Sequence, residues 1–301
     1  MKNKYRNIFL AFGIVAVLIM IFTFDMDYQE LWANLKRAGV YLPLVLLLWL
    51  FVYLINTTSW YIIIRSGGKP GFSFARLYKF TVTGFALNYV TPVGLMGGEP
   101  YRIMELKPYI GVERATSSVI LYVMMHIFSH FCFWLSSVLL YLCLYPVGWV
   151  MGTILGTITV FCLLVAMLFV KGYQHGMAVA FVRLGSHLPF LKKKVIRFAD
   201  SHREQLENID KQIALLHQQK KGAFYAALFL EYTARVVSCL EIWLILNVLT
   251  RSVSFADCCL IAAFSSLLAN LLFFLPMQLG GREGGFALAV GGLSLSGAYG
   301  V

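Results

Sequence analysis

The chain has 301 residues, 59% of them hydrophobic and 13% charged, with a mean hydropathy of +0.75. A soluble domain carries about a quarter charged residues and under about half apolar ones, so the composition excludes an ordinary water-soluble core and fits a chain whose solvent is lipid. The formal charge of +11 does not imply nucleic acid: lysines and arginines sit at the ends of apolar runs, where charge sets topology and meets anionic headgroups, and no nucleic-acid-binding motif accompanies them.

A helix crosses the hydrocarbon with about 20 apolar residues. Ile8–Phe24 is the first such run, preceded by Lys2, Lys4 and Arg6 and followed by Asp25-Met26-Asp27. It is long for a signal peptide and lacks a small-x-small cleavage site, so a retained span with a cytoplasmic N-terminus is expected. Asp25–Gly39 then lies outside, and a second span is predicted over Val40–Ile64. It ends in a basic turn, Arg65–Lys79, with Gly67, Gly68 and Pro70 as breakers and Lys69, Arg76 and Lys79 as inside markers.

Phe80–Val90 is apolar but too short to cross, and it runs into the glycine-rich break Thr91-Pro92-Val93-Gly94-Leu95-Met96-Gly97-Gly98-Glu99-Pro100-Tyr101-Arg102. Irregular backbone at membrane depth survives only where protein or a wet cavity surrounds it. A re-entrant segment returning to the cytoplasmic side is therefore expected, which also leaves Lys107 and Arg114 inside.

A third span is predicted over Ala115–Leu144 and a fourth over Gly148–Val170, joined at Tyr145-Pro146. Lys171–Lys221 is the largest polar stretch and holds Lys192, Lys193, Lys194, Arg197, Lys220 and Lys221, so it is expected in the cytoplasm. Within it Leu206, Ile209, Ile213 and Leu216 fall at helical spacing, giving an amphipathic helix that either packs on the protein or lies on the lipid surface. Ala223–Leu249 and Val253–Leu275 read as the fifth and sixth spans. A second break, Pro276-Met277-Gln278-Leu279-Gly280-Gly281-Arg282-Glu283-Gly284-Gly285, precedes the small-residue apolar tail Phe286–Val301, read as a further half-helix or as a lead into more chain. The six cysteines lie inside apolar stretches without metal-site spacing and read as small buried hydrophobes.

The two breaks share a pattern. One offset superposes Pro92 on Pro276, Leu95 on Leu279, Gly97 on Gly281 and Glu99 on Glu283. A duplicated unit with broken helices facing each other near the midplane is the arrangement of transporters built from repeats. The expected fold is thus an all-α polytopic integral membrane protein, with about six to seven transmembrane helices plus two glycine-rich re-entrant or broken helices. It forms a single domain over residues 1–301, with repeat-like units near 40–144 and 223–301 and the cytoplasmic segment 171–221.

A charge near the bilayer centre costs at least about 2.5–3.5 kcal/mol, so intramembrane charges single out candidate sites. Glu99 and Arg102 lie three apart on a helix starting near Gly97-Gly98, and Arg282 and Glu283 occupy the second break. Glycine-exposed N–H groups with arginine suit a phosphate; the alternative is that both acids cap helices or pair with the arginines. Gln278 lies in the same second break, and Pro92, Gly94, Gly97, Gly98, Pro276, Gly280 and Gly281 shape the backbone. Glu231 and Arg235, at i and i+4, could form a salt bridge that lines a polar path or locks two helices. His126 and His130 have the same spacing, but no HExxH or cysteine partner completes a metal site, so buried, hydrogen-bonded histidines are expected. No cofactor or metal is expected, and no nucleophile elbow, P-loop or dinucleotide fingerprint is present.

Across Asn88, Thr91, Pro92, Gly94, Gly97, Gly98, Glu99 and Arg102 the sequence resembles the lysylphosphatidylglycerol synthase transmembrane family, whose flippase-like domain carries Asn-x-x-Thr-Pro-x-Gly-x-Gly-Gly-Glu-x-x-Arg. Two large residues after Gly94 depart from that pattern. The family's late Pro-x-x-x-Gly-Gly-x-Glu is similar to Pro276, Gly280, Gly281 and Glu283. The resemblance implies a bacterial or archaeal inner-membrane protein that translocates lipid, with Asn88, Thr91 and Gln278 joining Glu99, Arg102, Arg282 and Glu283 as candidate headgroup ligands. The best-known members move aminoacylated phosphatidylglycerol and carry a soluble domain that attaches lysine to it; these 301 residues hold no such segment, so synthesis is not carried over. The expected partner is a membrane phospholipid or lipid-linked substrate. Rival readings are a membrane enzyme acting on a lipid-linked sugar or polyprenyl phosphate, and a scaffold for a lipid synthase or glycosyltransferase; a homodimer is compatible with each.

Overall fold

The computed structural model describes residues 36–90, 97–175, 221–249 and 253–271, with isolated positions at 32–33, 204, 207–208 and 211. These residues form helices and no strand. Helix α1 is Tyr41–Ser66, α2 Phe74–Val90, α3 Gly98–Ile110, α4 Val112–Leu144, α5 Trp149–His175, α6 Lys221–Leu249 and α7 Phe255–Leu271. By length and apolar composition α1, α4 and the Trp149–Met167 part of α5 can cross a membrane, and α7 is a shorter apolar helix. The chain is a multi-pass α-helical membrane protein. Helix α6 has 29 residues, long enough at about 1.5 Å per residue to span, but it carries Glu231, Arg235 and Glu241.

The predicted spans at 40–64, 115–144, 148–170 and 223–249 correspond to α1, α4, α5 and α6 within a few residues. The short apolar stretch read as Phe80–Val90 is longer in the structure. Helix α2 begins at Phe74, where the Ser73 hydroxyl accepts the Arg76 N–H at 3.4 Å, so the basic residues assigned to a turn form its first turns. Residues 1–31, which contain the first predicted span, the amphipathic stripe positions 206, 209, 213 and 216, and the second break at 276–285 lie outside the described residues.

Lipid tails are as apolar as leucine, so packing and interhelical hydrogen bonds hold such helices together. The most extensive contact is between α1 and α6, where the Ser59 hydroxyl donates to the Ala227 carbonyl at 3.1 Å. Tyr232 on α6 donates to Ser136 on α4 at 3.0 Å, and Trp134 on α4 donates to Ser266 on α7 at 3.0 Å. Each such bond is worth roughly 0.6 kcal/mol in a bilayer. Trp60, Ile63, Ile64, Leu77, Leu106, Val119, Tyr122 and Met125 form the main buried cluster between α1, α2, α3 and α4. Leu46, Leu47, Val150, Val160 and Phe229 face outward, as lipid-facing positions do.

Two polar devices fix helix ends. Arg114 reaches back from α4 to the Ile64 carbonyl at 2.8 Å, using a cation on carbonyls left open at the end of α1. Ser254 caps α7: its hydroxyl accepts the Asp257 N–H at 3.1 Å while the Asp257 carboxylate accepts the Ser254 N–H at 3.3 Å, a reciprocal capping box.

Candidate functional site

Helices α2 and α3 pack against each other at two glycines. A Cβ on Gly98 would run into the Gly84 carbonyl oxygen, and one on Gly84 into the Arg102 guanidinium. This close approach lets one side chain bridge the joint: Asn88 on α2 accepts the Gly98 N–H at 2.6 Å and donates to Glu99 Oε1 at 3.1 Å. Asn88 thereby satisfies a first-turn N–H of α3, and Glu99 sits in that positive first turn. The same Oε1 accepts Arg102 Nη1 at 3.2 Å. Asn88, Gly98, Glu99 and Arg102, singled out on sequence grounds, therefore converge at one place.

Arg102 is 1% exposed. Its guanidinium carbon lies 4.7 Å from the centre of the Phe85 ring, 5.3 Å from Tyr122 and 5.8 Å from Trp60, a three-sided aromatic box on α2, α4 and α1. Rings within about 6 Å stabilise a cation through their quadrupoles without occupying its N–H groups. Nε and Nη2 of Arg102, and Oε2 of Glu99, find no hydrogen-bond partner among the described residues. The Glu99 side chain is 25% exposed, with its unpartnered Oε2 buried. Sequence reasoning missed the box. Trp60, Phe85 and Tyr122 look like ordinary core aromatics, and only Gly84, a lone glycine inside an apolar run, hinted at a close approach.

A second polar group lies beside the first. Glu231 on α6 is 1% exposed, and its Oε2 lies 2.8 Å from His126 Nδ1 on α4. The expected Glu231–Arg235 bridge is replaced by this pair. Arg102–Glu99 is an ion pair, and His126–Glu231 becomes one when the imidazole carries a second proton. Arg235 instead donates to the Ser129 hydroxyl at 3.1 Å and the His126 carbonyl at 3.2 Å. The reason is geometric: α4 crosses beside both residues and offers each a partner across the interface. Tyr122, His126, His130 and Trp134 form a ladder of rings up α4, at 6.4, 5.6 and 5.6 Å between successive centres. No group of three or more His, Cys, Asp or Glu placed to hold a metal occurs among the described residues. Thr91, Pro92, Gly94, Pro276, Gln278, Gly280, Gly281, Arg282 and Glu283 lie outside them, and Gly97 immediately precedes α3.

The lysylphosphatidylglycerol synthase TM region family model matches residues 8–301. The chain belongs to this family. Its membrane domain relates the protein to lipid metabolism. No curated protein and no solved structure matches the chain significantly.

Proposed function

We propose that the protein is a lipid flippase of a bacterial or archaeal cytoplasmic membrane, with its N-terminus inside, moving a phospholipid or lipid-linked headgroup between leaflets. The observation that carries this reading is Arg102: a buried guanidinium held by rings on three sides, with two N–H groups unpartnered among the described residues. A guanidinium fork matches phosphate oxygens bidentately and is more weakly hydrated than an ammonium, so it can take a headgroup phosphate while the acyl tails stay in lipid. Glu99 orients the fork through Oε1. The internal repeat matches Glu283 to Glu99, and Arg282 beside it supplies a second guanidinium for the phosphate at the second break. No ATP-binding motif is present in the sequence, so movement is passive or gradient-driven.

Reconstituted with a panel of headgroup-labelled lipids, the protein is expected to move at least one phosphate-bearing lipid. Glu99→Gln and Arg102→Ala are expected to abolish this while the protein stays folded. Loss of a charged hydrogen bond, about 1.5–3 kcal/mol, should weaken headgroup binding in Arg102→Ala by roughly tenfold to a hundredfold. Undiminished transport by both variants, or no transport of any lipid by folded wild-type protein, contradicts the reading.

A further inference from the structure

The Arg102 site and the His126–Glu231 pair share their surroundings. Phe85 lies 4.7 Å from the Arg102 guanidinium carbon and 5.8 Å, tilted, from the His126 ring. Tyr122 likewise lies 5.3 Å from Arg102 and 6.4 Å from His126, within electrostatic reach of Glu231, Arg102, Glu99 and Tyr53. Neither the Tyr122 hydroxyl nor Glu231 Oε1 has a hydrogen-bond partner among the described residues.

Charge balance in this cluster singles out the histidine. Glu99 and Arg102 compensate each other. Glu231 is compensated by Arg235, one turn along α6 and within electrostatic reach. His126 meets Glu231 on α6 and the rings of Tyr122 and His130 on α4, and Arg235 on α6 donates to its carbonyl; Tyr53 from α1 and Glu99 and Arg102 from α3 lie within electrostatic reach of Tyr122, and Cys239 within reach of Arg235. With those acids and bases balanced, His126 sets the net charge: zero with a neutral imidazole, plus one with a protonated one. Neutral His126 donates Nδ1–H to Glu231, and the added proton goes to its other ring nitrogen. The ring is one-third exposed, so this nitrogen is reachable from outside the packed core.

We infer that the His126–Glu231 pair is a proton site linked to the Arg102 site, so that an anionic lipid headgroup binds together with a proton. This rests on the headgroup reading of Arg102 and narrows the cargo to lipids of net negative charge. A phosphate at Arg102 adds one negative charge to a cluster that a proton on His126 makes positive. At about 10 Å and an effective dielectric near 20, a unit charge changes the proton equilibrium by roughly tenfold. Linkage is reciprocal. Headgroup affinity therefore falls by up to roughly tenfold as the pair gives up its proton with rising pH. A tenfold coupling lets binding take up at most about half a proton.

The test is calorimetric titration of the detergent-solubilised full chain with dihexanoyl phosphatidylglycerol, run in two buffers of different ionisation enthalpy. The zwitterionic dihexanoyl phosphatidylcholine is the comparison. The expected result is proton uptake with phosphatidylglycerol, close to none with phosphatidylcholine, and loss of the uptake in His126→Gln. Binding of phosphatidylglycerol without proton uptake, uptake equal for both lipids, or uptake unchanged in folded His126→Gln overturns the linkage and leaves the headgroup site standing. Absence of binding by either lipid overturns the headgroup reading and the linkage with it. The lipid comparison uses wild-type protein alone, so it decides the matter even where the variant does not fold.

Discussion

Arg102 is held by three rings and one carboxylate, and each contact constrains the guanidinium differently. Lysine at this position would keep the charge but lose the planar fork and its stacking on Phe85. Arg102→Lys is therefore expected to retain folded protein yet bind a phosphate headgroup at least about tenfold more weakly, checked by equilibrium binding of a labelled phospholipid. Wild-type affinity in that variant would reduce the site to a point charge. Glu99 and Arg102 were legible in the sequence because charged residues beside a glycine-rich break inside apolar runs are costly in lipid unless they are paired or used, whereas Asn88 was legible only through the family pattern. Trp60, Phe85 and Tyr122 were not, since aromatics in a lipid-dissolved chain are ordinary and their convergence depends on three separate helices. The Glu231–Arg235 spacing suggested a bridge within one helix, but spacing cannot register that His126 on another helix offers a partner at 2.8 Å.

At the scale of helices, the α2–α3 joint depends on the absence of two side chains. Gly98→Ala sets a Cβ against the Gly84 backbone, which cannot rotate away, so the expected cost is about 1–3 kcal/mol, read as a lowered thermal midpoint in detergent. Gly84→Ala sets its Cβ against the flexible Arg102 side chain, so it should cost less stability and more headgroup affinity. A similar loss of stability and no loss of affinity in both variants would separate the joint from the site. Outside the spans, the Tyr145 hydroxyl donates to Asp257 at 2.5 Å, tying the end of α4 to the start of α7. That hydrogen bond and partial burial push the phenol up to about 12. The tie therefore contributes fully below about pH 10, where free tyrosine begins to ionise, and is lost as pH rises through about 12. Ultraviolet titration of wild type against Asp257→Ala should show one tyrosine moving back toward the ordinary value in the variant; identical curves would deny the tie. Helix boundaries were legible where apolar runs ended in charge, as at Arg65 and Lys221. They were misplaced at Phe74, because Arg76 and Lys79 marked a turn by charge while Ser73 started a helix by capping.

For the molecule as a whole, composition and run length sufficed to place it in a membrane, since a backbone in lipid must satisfy its own hydrogen bonds and so forms helices. The arrangement of those helices was not legible. Apolar faces all look alike to lipid, and the pairing of α1 with α6 rests on small local features such as Ser59 beneath the Ala227 carbonyl. The outcome is a helical bundle with one aromatic-walled cation near a glycine joint and a buried histidine–glutamate pair beside it. The most direct test of the account is the leaflet-exchange rate of labelled phosphatidylglycerol in vesicles containing either wild-type protein or folded Arg102→Gln. The account predicts exchange well above protein-free vesicles for the wild type and a return to the protein-free rate for the variant. Equal exchange by the two proteins would contradict it.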